Sequence, residues 1–255
     1  MSASDKIARL EFRGPVAWLV IDSPANRNAL GGPVMAGLVD GLERALAAPE
    51  IRVVVITGTG NTFSSGADLR DTTDLAIIEK AYRNLFKGIL EAGKPIIARV
   101  NGPCFGGAIG LAAVCDLSVA VDTAVFAFSE VRLGRTATLA SVVSLPKLRP
   151  GEAAELLLRG GRIDGVRAQA IGLVNKAVAS DQLDAEVDGI VSDLLAAGPV
   201  ALANTKRLIR QVAMLREDEA WDLAFEITRD TAGSPEATEG TAAFREKRDP
   251  IWPLP

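Results

Sequence analysis

The sequence predicts an α/β fold whose second half is helical. Three observations predict it. Strand-like and helix-like runs alternate as far as Arg135. RVVVITG, residues 52–58, is an unbroken, mostly β-branched run, as a strand buried on both faces of a parallel sheet requires. Beyond Arg135 nearly every segment carries apolar residues at helical spacing.

The elements follow in order. IARLEFR (7–13) and VAWLVIDS (16–23) flank Gly14-Pro15, a turn pair, and read as two neighbouring strands. VMAGLVDGLERALAAP (34–49) reads as a helix stopped by Pro49. After the buried strand comes LAIIEKAYRNLFKGILEAG (75–93), an amphipathic helix ending at Gly93, and then the strand PIIARVNG (95–102). In PCFGGAIGLAAVCD (103–116), Gly106 opens a helix. Glycine costs about 1 kcal/mol against alanine inside a helix, less at its start, where it leaves backbone N–H groups open to approach. LSVAVDTAVFAFSEV (117–131) supplies one or two short strands. TATLASVVSLPKL, GEAAELLLRG, VRAQAIG, QLDAEVDGIVSDLLAAG, VALANTKRLIRQV and DEAWDLAFEITRDTAG are helical. Ser234-Pro235-Glu236 reads as an N-cap, a proline at the first helical position and an early acid, opening a last helix through Phe244 and Arg248. The reading divides the chain into an α/β core, residues 1–195, and a helical region, residues 196–255, that packs on the core and on a neighbouring subunit.

Composition removes several functions. The 255 residues carry 28 Lys and Arg against 32 Asp and Glu, a net charge of −4, which argues against nucleic acid and against an anionic membrane surface. No apolar run approaches the roughly 18 residues of a membrane span. MSASDKIARLEFRG has no apolar centre of the kind a signal peptide needs, so a cytoplasmic protein is expected. Cys104 and Cys115 cannot build a disulfide framework. The chain has no histidine. That excludes a Ser-His-Asp triad and a Cys-His pair and takes away the commonest metal ligand, so no metal site is expected. Proton chemistry must use Asp, Glu, Lys, Tyr or Cys.

Two loops stand out. NTFSSGADLRD (61–71) and NGPCFGGAIG (101–110) each follow a strand and each offer a free backbone N–H, from Ala67 after Gly66 and from Gly107 after Gly106. Two such donors converging on one point form an oxyanion hole, and the second has a helix dipole behind it. The residues alone do not show that they converge.

From Ser23 to the C-terminus the chain resembles the enoyl-CoA hydratase/isomerase, or crotonase, family. SPANRNAL, VVVITGTGNTFSSGADL, KPIIARVNGPCFGGAIGLAAVCDLSVA, AVFAFSEVRLG, GLVNKAV and SPEATEGTAAFREKRDPIW carry the resemblance, in the family's order and spacing. It implies a crotonase-like spiral of ββα units, with C-terminal helices that build a homotrimer or a dimer of trimers. It implies an acyl-CoA thioester as ligand, with no cofactor beyond the CoA moiety of that substrate. The thioester oxygen would rest on the N–H groups of Ala67 and Gly107. CoA would meet Arg27, Ala67, Asp68 and Leu69, and Lys247 with Phe244 would reach it from a neighbouring subunit. Ordinary surface charge is the alternative for Arg27 and Lys247.

Family hydratases carry two glutamates, and here the resemblance breaks. The first place, three residues after Gly107, is Gly110. The second falls on Glu130, present in FAFSEVRLG, unless Glu130 is a surface residue paired with Arg132 or Arg135. One carboxylate suits isomerisation of a 3-enoyl-CoA to a 2-enoyl-CoA better than addition of water. Hydration of a 2-enoyl-CoA is the alternative within the family, and a non-catalytic acyl-CoA-binding relative is the alternative outside enzymes. Asp71 and Asp74 are either replacements for the missing acid or solvated loop carboxylates, Asp68 a loop-shaping residue. Arg135 and Thr136 either shape the acyl pocket or face solvent, and Cys104 is a small core residue.

Overall fold

The computed structural model describes residues 7–252. In chain order the elements are β1 (Ala8–Arg13), β2 (Val16–Ile21), α1 (Gly32–Ala47), β3 (Val53–Gly58), α2 (Leu75–Glu91), β4 (Ile96–Val100), β5 (Cys104–Phe105), α3 (Gly107–Val114), β6 (Leu117–Val121), β7 (Phe126–Ala127), α4 (Thr138–Ser144), α5 (Pro150–Arg159), α6 (Gly165–Ala170), β8 (Lys176–Val178), α7 (Leu183–Ala196), α8 (Pro199–Gln211), α9 (Glu217–Thr231) and α10 (Pro235–Glu246).

The main sheet has the order β1-β2-β3-β4-β6-β8. β1 and β2 form an antiparallel hairpin, and every later pair is parallel. The fully buried β3 lies at its centre, flanked by β2 and β4, as its apolar run requires. α1 packs on β1 and β2, while α7 crosses β3, β4 and β6.

A second, shorter layer repeats along the chain. β3 is followed by Ser64, β4 by β5 and β6 by β7. These extended pieces pair side by side: Ser64 bridges Cys104, β5 pairs with β7, and Phe126 of β7 bridges Ile163. Each unit is thus a long strand, a short strand and a helix, α2, α3 and α4 in turn. That repetition is the spiral of ββα units that the family resemblance implies.

Most expected elements are present, with four differences. α1 begins at Gly32, two residues early, because Gly31 is extended and Pro33 is accommodated in the first turn. β5 has two residues, too few for any periodicity to register. β8 lies where only helices were expected; three residues, one of them an exposed lysine, complete the sheet beside β6. α10 stops at Glu246, before Arg248, because Lys247 takes a left-handed conformation.

The C-terminal helices are tied down by polar contacts. Lys206 of α8 donates to Asp116 Oδ2 at 2.7 Å, and the same oxygen accepts from Ile96 N on β4. Ser234 caps α10 by accepting from Ala237 N. The expected early acid, Glu236, does more than favour its own helix. It is buried and accepts from Val200 N at 2.9 Å and Ala201 N at 2.8 Å, satisfying the open start of α8. Among the described residues no helix is long and apolar enough to cross a membrane.

Candidate active site

Three bends leave the short-strand layer on consecutive rungs. Phe105 N donates to Ser64 O at 3.1 Å and Gly106 N to Ala127 O at 3.0 Å. Gly66–Ala67, Gly106–Gly107 and Ser129–Glu130 therefore emerge side by side. Gly66 has φ +82°, and a Cβ there would lie 2.5 Å from Phe105 O and 3.7 Å from Gly107 N. Only glycine meets both demands, so the first two bends touch. The first is pinned further by Leu30 N on Gly66 O at 2.7 Å and by Ser65 N on Arg27 O at 3.0 Å. Gly106 caps α3 with φ +52°. Among the described residues, neither Ala67 N nor Gly107 N donates a hydrogen bond.

Glu130 occupies the third bend, in a 3-10 turn from Ser129 to Leu133. Its carboxyl covers Gly106: any Cβ at that position would collide with Oε1. Oε2 is buried and has no hydrogen-bond partner among the described residues. Burial raises the Glu130 pKa above its ordinary value, against a weaker lowering by its own backbone amide. Arg132 turns away to donate to Arg159 O at 3.2 Å, and Arg135 meets Glu130 only through its backbone N–H. The surface ion pair is not formed. A buried carboxyl oxygen left without a partner costs on the order of 1–3 kcal/mol, so Oε2 holds an unmet demand for a polar ligand.

A side chain from α2 joins this group. Tyr82 is 4 % exposed, and its hydroxyl occupies the space a Cβ on Gly107 would need. Its ring is braced edge-on by Phe86, one turn along the helix, with centroids 5.6 Å apart. Burial first, and the Glu130 charge second, push the phenol pKa up. The hydroxyl enters no hydrogen bond among the described residues.

The place of a second acid is closed. A Cβ on Gly110 would lie 2.8 Å from Ala140 Cα and 3.1 Å from both Ala140 Cβ and Phe86 Cζ. α4 and the α2 aromatic pair fill the volume a longer side chain would need. The arrangement therefore offers two free amides, one carboxyl and one phenol around the start of α3.

The sequence pattern of the enoyl-CoA hydratase/isomerase family matches residues 11–254. The chain belongs to that family. It is 32% identical over 250 residues to the carnitinyl-CoA dehydratase of Citrobacter koseri, covering 94% of this chain and 95% of that protein. The crystal structure of an enoyl-CoA hydratase from Mycobacterium smegmatis superposes with a TM-score of 0.90 at 29% identity, over 96% of this chain and 98% of that one. That of an enoyl-CoA hydratase from Polaromonas sp. JS666 gives 0.90 at 30% identity, over 96% and 99%. The enoyl-CoA hydratase/isomerase fold is thus the crotonase fold the sequence predicts.

Within this enoyl-CoA hydratase/isomerase chain the predicted site residues separate into two groups. Ala67, Gly107 and Glu130 come together, with Arg27 held to the first bend through its carbonyl. Asp68 shapes that loop by accepting from Arg70 N at 3.0 Å and Asn26 Nδ2 at 3.3 Å, while Leu69 is exposed beside it. Phe244 on α10, 85 % exposed, and Lys247, the residue just beyond that helix, face solvent. The other loop acids have structural tasks. Asp71 accepts from Gly32 N and from Thr73, bonds that lower its pKa, and Asp74 caps α2 by accepting from Ala76 N. Both carboxylates are thus engaged by backbone groups of their own surroundings. Arg135 and Thr136 are exposed, and Cys104 lies in the core with its thiol pKa raised by burial. Sequence reasoning missed Tyr82, which reads as one more apolar residue on the buried face of α2. It also missed Asn28, a buried residue whose amide donates to Thr59 O and Thr62 O and anchors the first bend.

Proposed function

We propose that this chain acts on an acyl-CoA thioester and shifts a 3-enoyl double bond to the 2 position with one carboxylate. The N–H groups of Ala67 and Gly107 hold the thioester oxygen. Glu130 takes a proton from C2, and the electron pair of the broken C–H bond passes to the carbonyl, giving a dienolate. Charge on the oxygen strengthens both amide hydrogen bonds in the transition state. Glu130 then returns the proton at C4, the double bond settles between C2 and C3, and the carbonyl re-forms.

One observation carries this reading: an oxygen of the half-buried Glu130 carboxyl, Oε2, is buried and unpartnered among the described residues beside the open start of α3, while the volume at Gly110 is filled. Arg27, Asp68 and Leu69, with the Ala67 backbone, line the CoA side. The helices after residue 195 build a homotrimer or a dimer of trimers, in which Phe244 and Lys247 reach the CoA of a neighbour. Water addition to a 2-enoyl-CoA is the second reading, favoured by the hydratase and dehydratase names of the relatives.

The test incubates the protein with a 3-enoyl-CoA and separately with a 2-enoyl-CoA, following bond migration and water addition. Migration should dominate and fall about 10²–10⁴-fold in Glu130→Gln. Faster hydration than migration overturns the isomerase assignment, and tight binding with no turnover of either leaves a binding protein.

A further inference from the structure

We propose that the Tyr82 hydroxyl is a third donor to the thioester oxygen, completing with the Ala67 and Gly107 amides a three-point cradle for the enolate. The inference rests on the acyl-thioester reading above and adds a residue to it. Its grounds are geometric. The hydroxyl lies so near Gly107 that a Cβ there would collide with it. Backbone geometry places a Cβ about 2.5 Å from its own nitrogen, so the hydroxyl lies within about 5 Å of the Gly107 nitrogen. An oxygen accepting from that amide at about 2.9 Å can accept from the phenol as well.

The group is also built to donate. Tyr82 is buried as a residue, yet its hydroxyl has no hydrogen-bond partner among the described residues and is not itself fully buried, so it remains accessible to an acceptor. Its ring cannot swing, because Phe86 braces it and the rest of the side chain is in the core. Burial and the nearby Glu130 charge keep the phenol protonated. The proton stays on Tyr82 throughout, and its hydrogen bond strengthens as charge builds on the acceptor. Glu130, across Gly106, remains the group that moves protons.

The test uses hexadienoyl-CoA, a conjugated thioester whose absorption moves to longer wavelength as its oxygen accepts stronger hydrogen bonds. Wild type should bind it with a marked red shift. Tyr82→Phe keeps the ring and its contact with Phe86, so its melting temperature should match wild type. It should bind with a smaller shift, and turnover of a 3-enoyl-CoA should fall about 100-fold in kcat with KM little changed. Glu130→Gln should keep the shift and lose turnover. A second measurement needs no substitution. Tyr82 is the only tyrosine, so growth on 3-fluorotyrosine gives one fluorine resonance, which should move with hexadienoyl-CoA and stay in place with free CoA.

A full red shift and wild-type kcat in Tyr82→Phe, or a resonance that ignores the acyl group, overturns the Tyr82 assignment while leaving the acyl-thioester reading standing. Failure of wild type to bind hexadienoyl-CoA, or binding without a shift, removes that reading and this inference with it.

Discussion

Glu130 shows how far a single residue's environment departs from what its neighbours in sequence suggest. Arg132 and Arg135 flank it, yet its carboxyl meets neither and lies buried on Gly106. Burial raises its pKa, and the sign of the consequences follows. The folded state binds a proton that the unfolded chain releases at the ordinary glutamate pKa. The stability from this group is therefore complete below that ordinary pKa and is lost as pH rises through the folded one. Denaturation midpoints of wild type relative to Glu130→Gln should fall across that window. As a base the residue must be ionised, so the acid limb of kcat/KM should lie above the usual carboxylate range and vanish in the glutamine variant. Glu130 is legible as a candidate only through the family resemblance of FAFSEVRLG, whose glutamate falls at the family's second acidic place. The sequence left Tyr82 illegible, because a lone aromatic on the apolar face of an amphipathic helix has the pattern of a core residue whether or not its hydroxyl reaches a cleft.

Among the elements, the α3–α4 contact decides what chemistry the site can hold. Gly110 lets α4 approach until Ala140 sits directly on α3. Gly110→Ala should cost about 1–3 kcal/mol in denaturant unfolding, since the atom it meets is backbone and cannot rotate away. Gly151, in the first turn of α5, has open space around it, and Gly151→Ala should be neutral or stabilising by up to about 1 kcal/mol. The long strands and helices were legible in hydrophobic period, because their burial extends over several repeats. β5 and β8 were not, since two or three residues contain no period and their pairing is set by partners far along the chain. The site hangs on the short-strand layer, so its assembly could be anticipated from family likeness but not from pattern.

For the whole molecule, the C-terminal helices leave an apolar surface that one chain does not cover. Trp221 and Phe225 stack on α9 with centroids 5.9 Å apart, and each remains more than half exposed. Ile209 and Met214 lie exposed nearby in sequence on α8 and just beyond it. Sedimentation should give three times the 26.7 kDa chain mass, or six, and Trp221→Glu should shift the population to single chains. The short-strand layer has a different bearing on how the molecule comes into being. Its rungs join Ser64, Cys104, Phe126 and Ile163, so the reactive corner exists only after a hundred residues of polymer have wound through three turns and been clasped by a fourth. Recovery of turnover after dilution from denaturant would then act as a clock for the last event of winding, ticking later than any spectroscopic sign of helix.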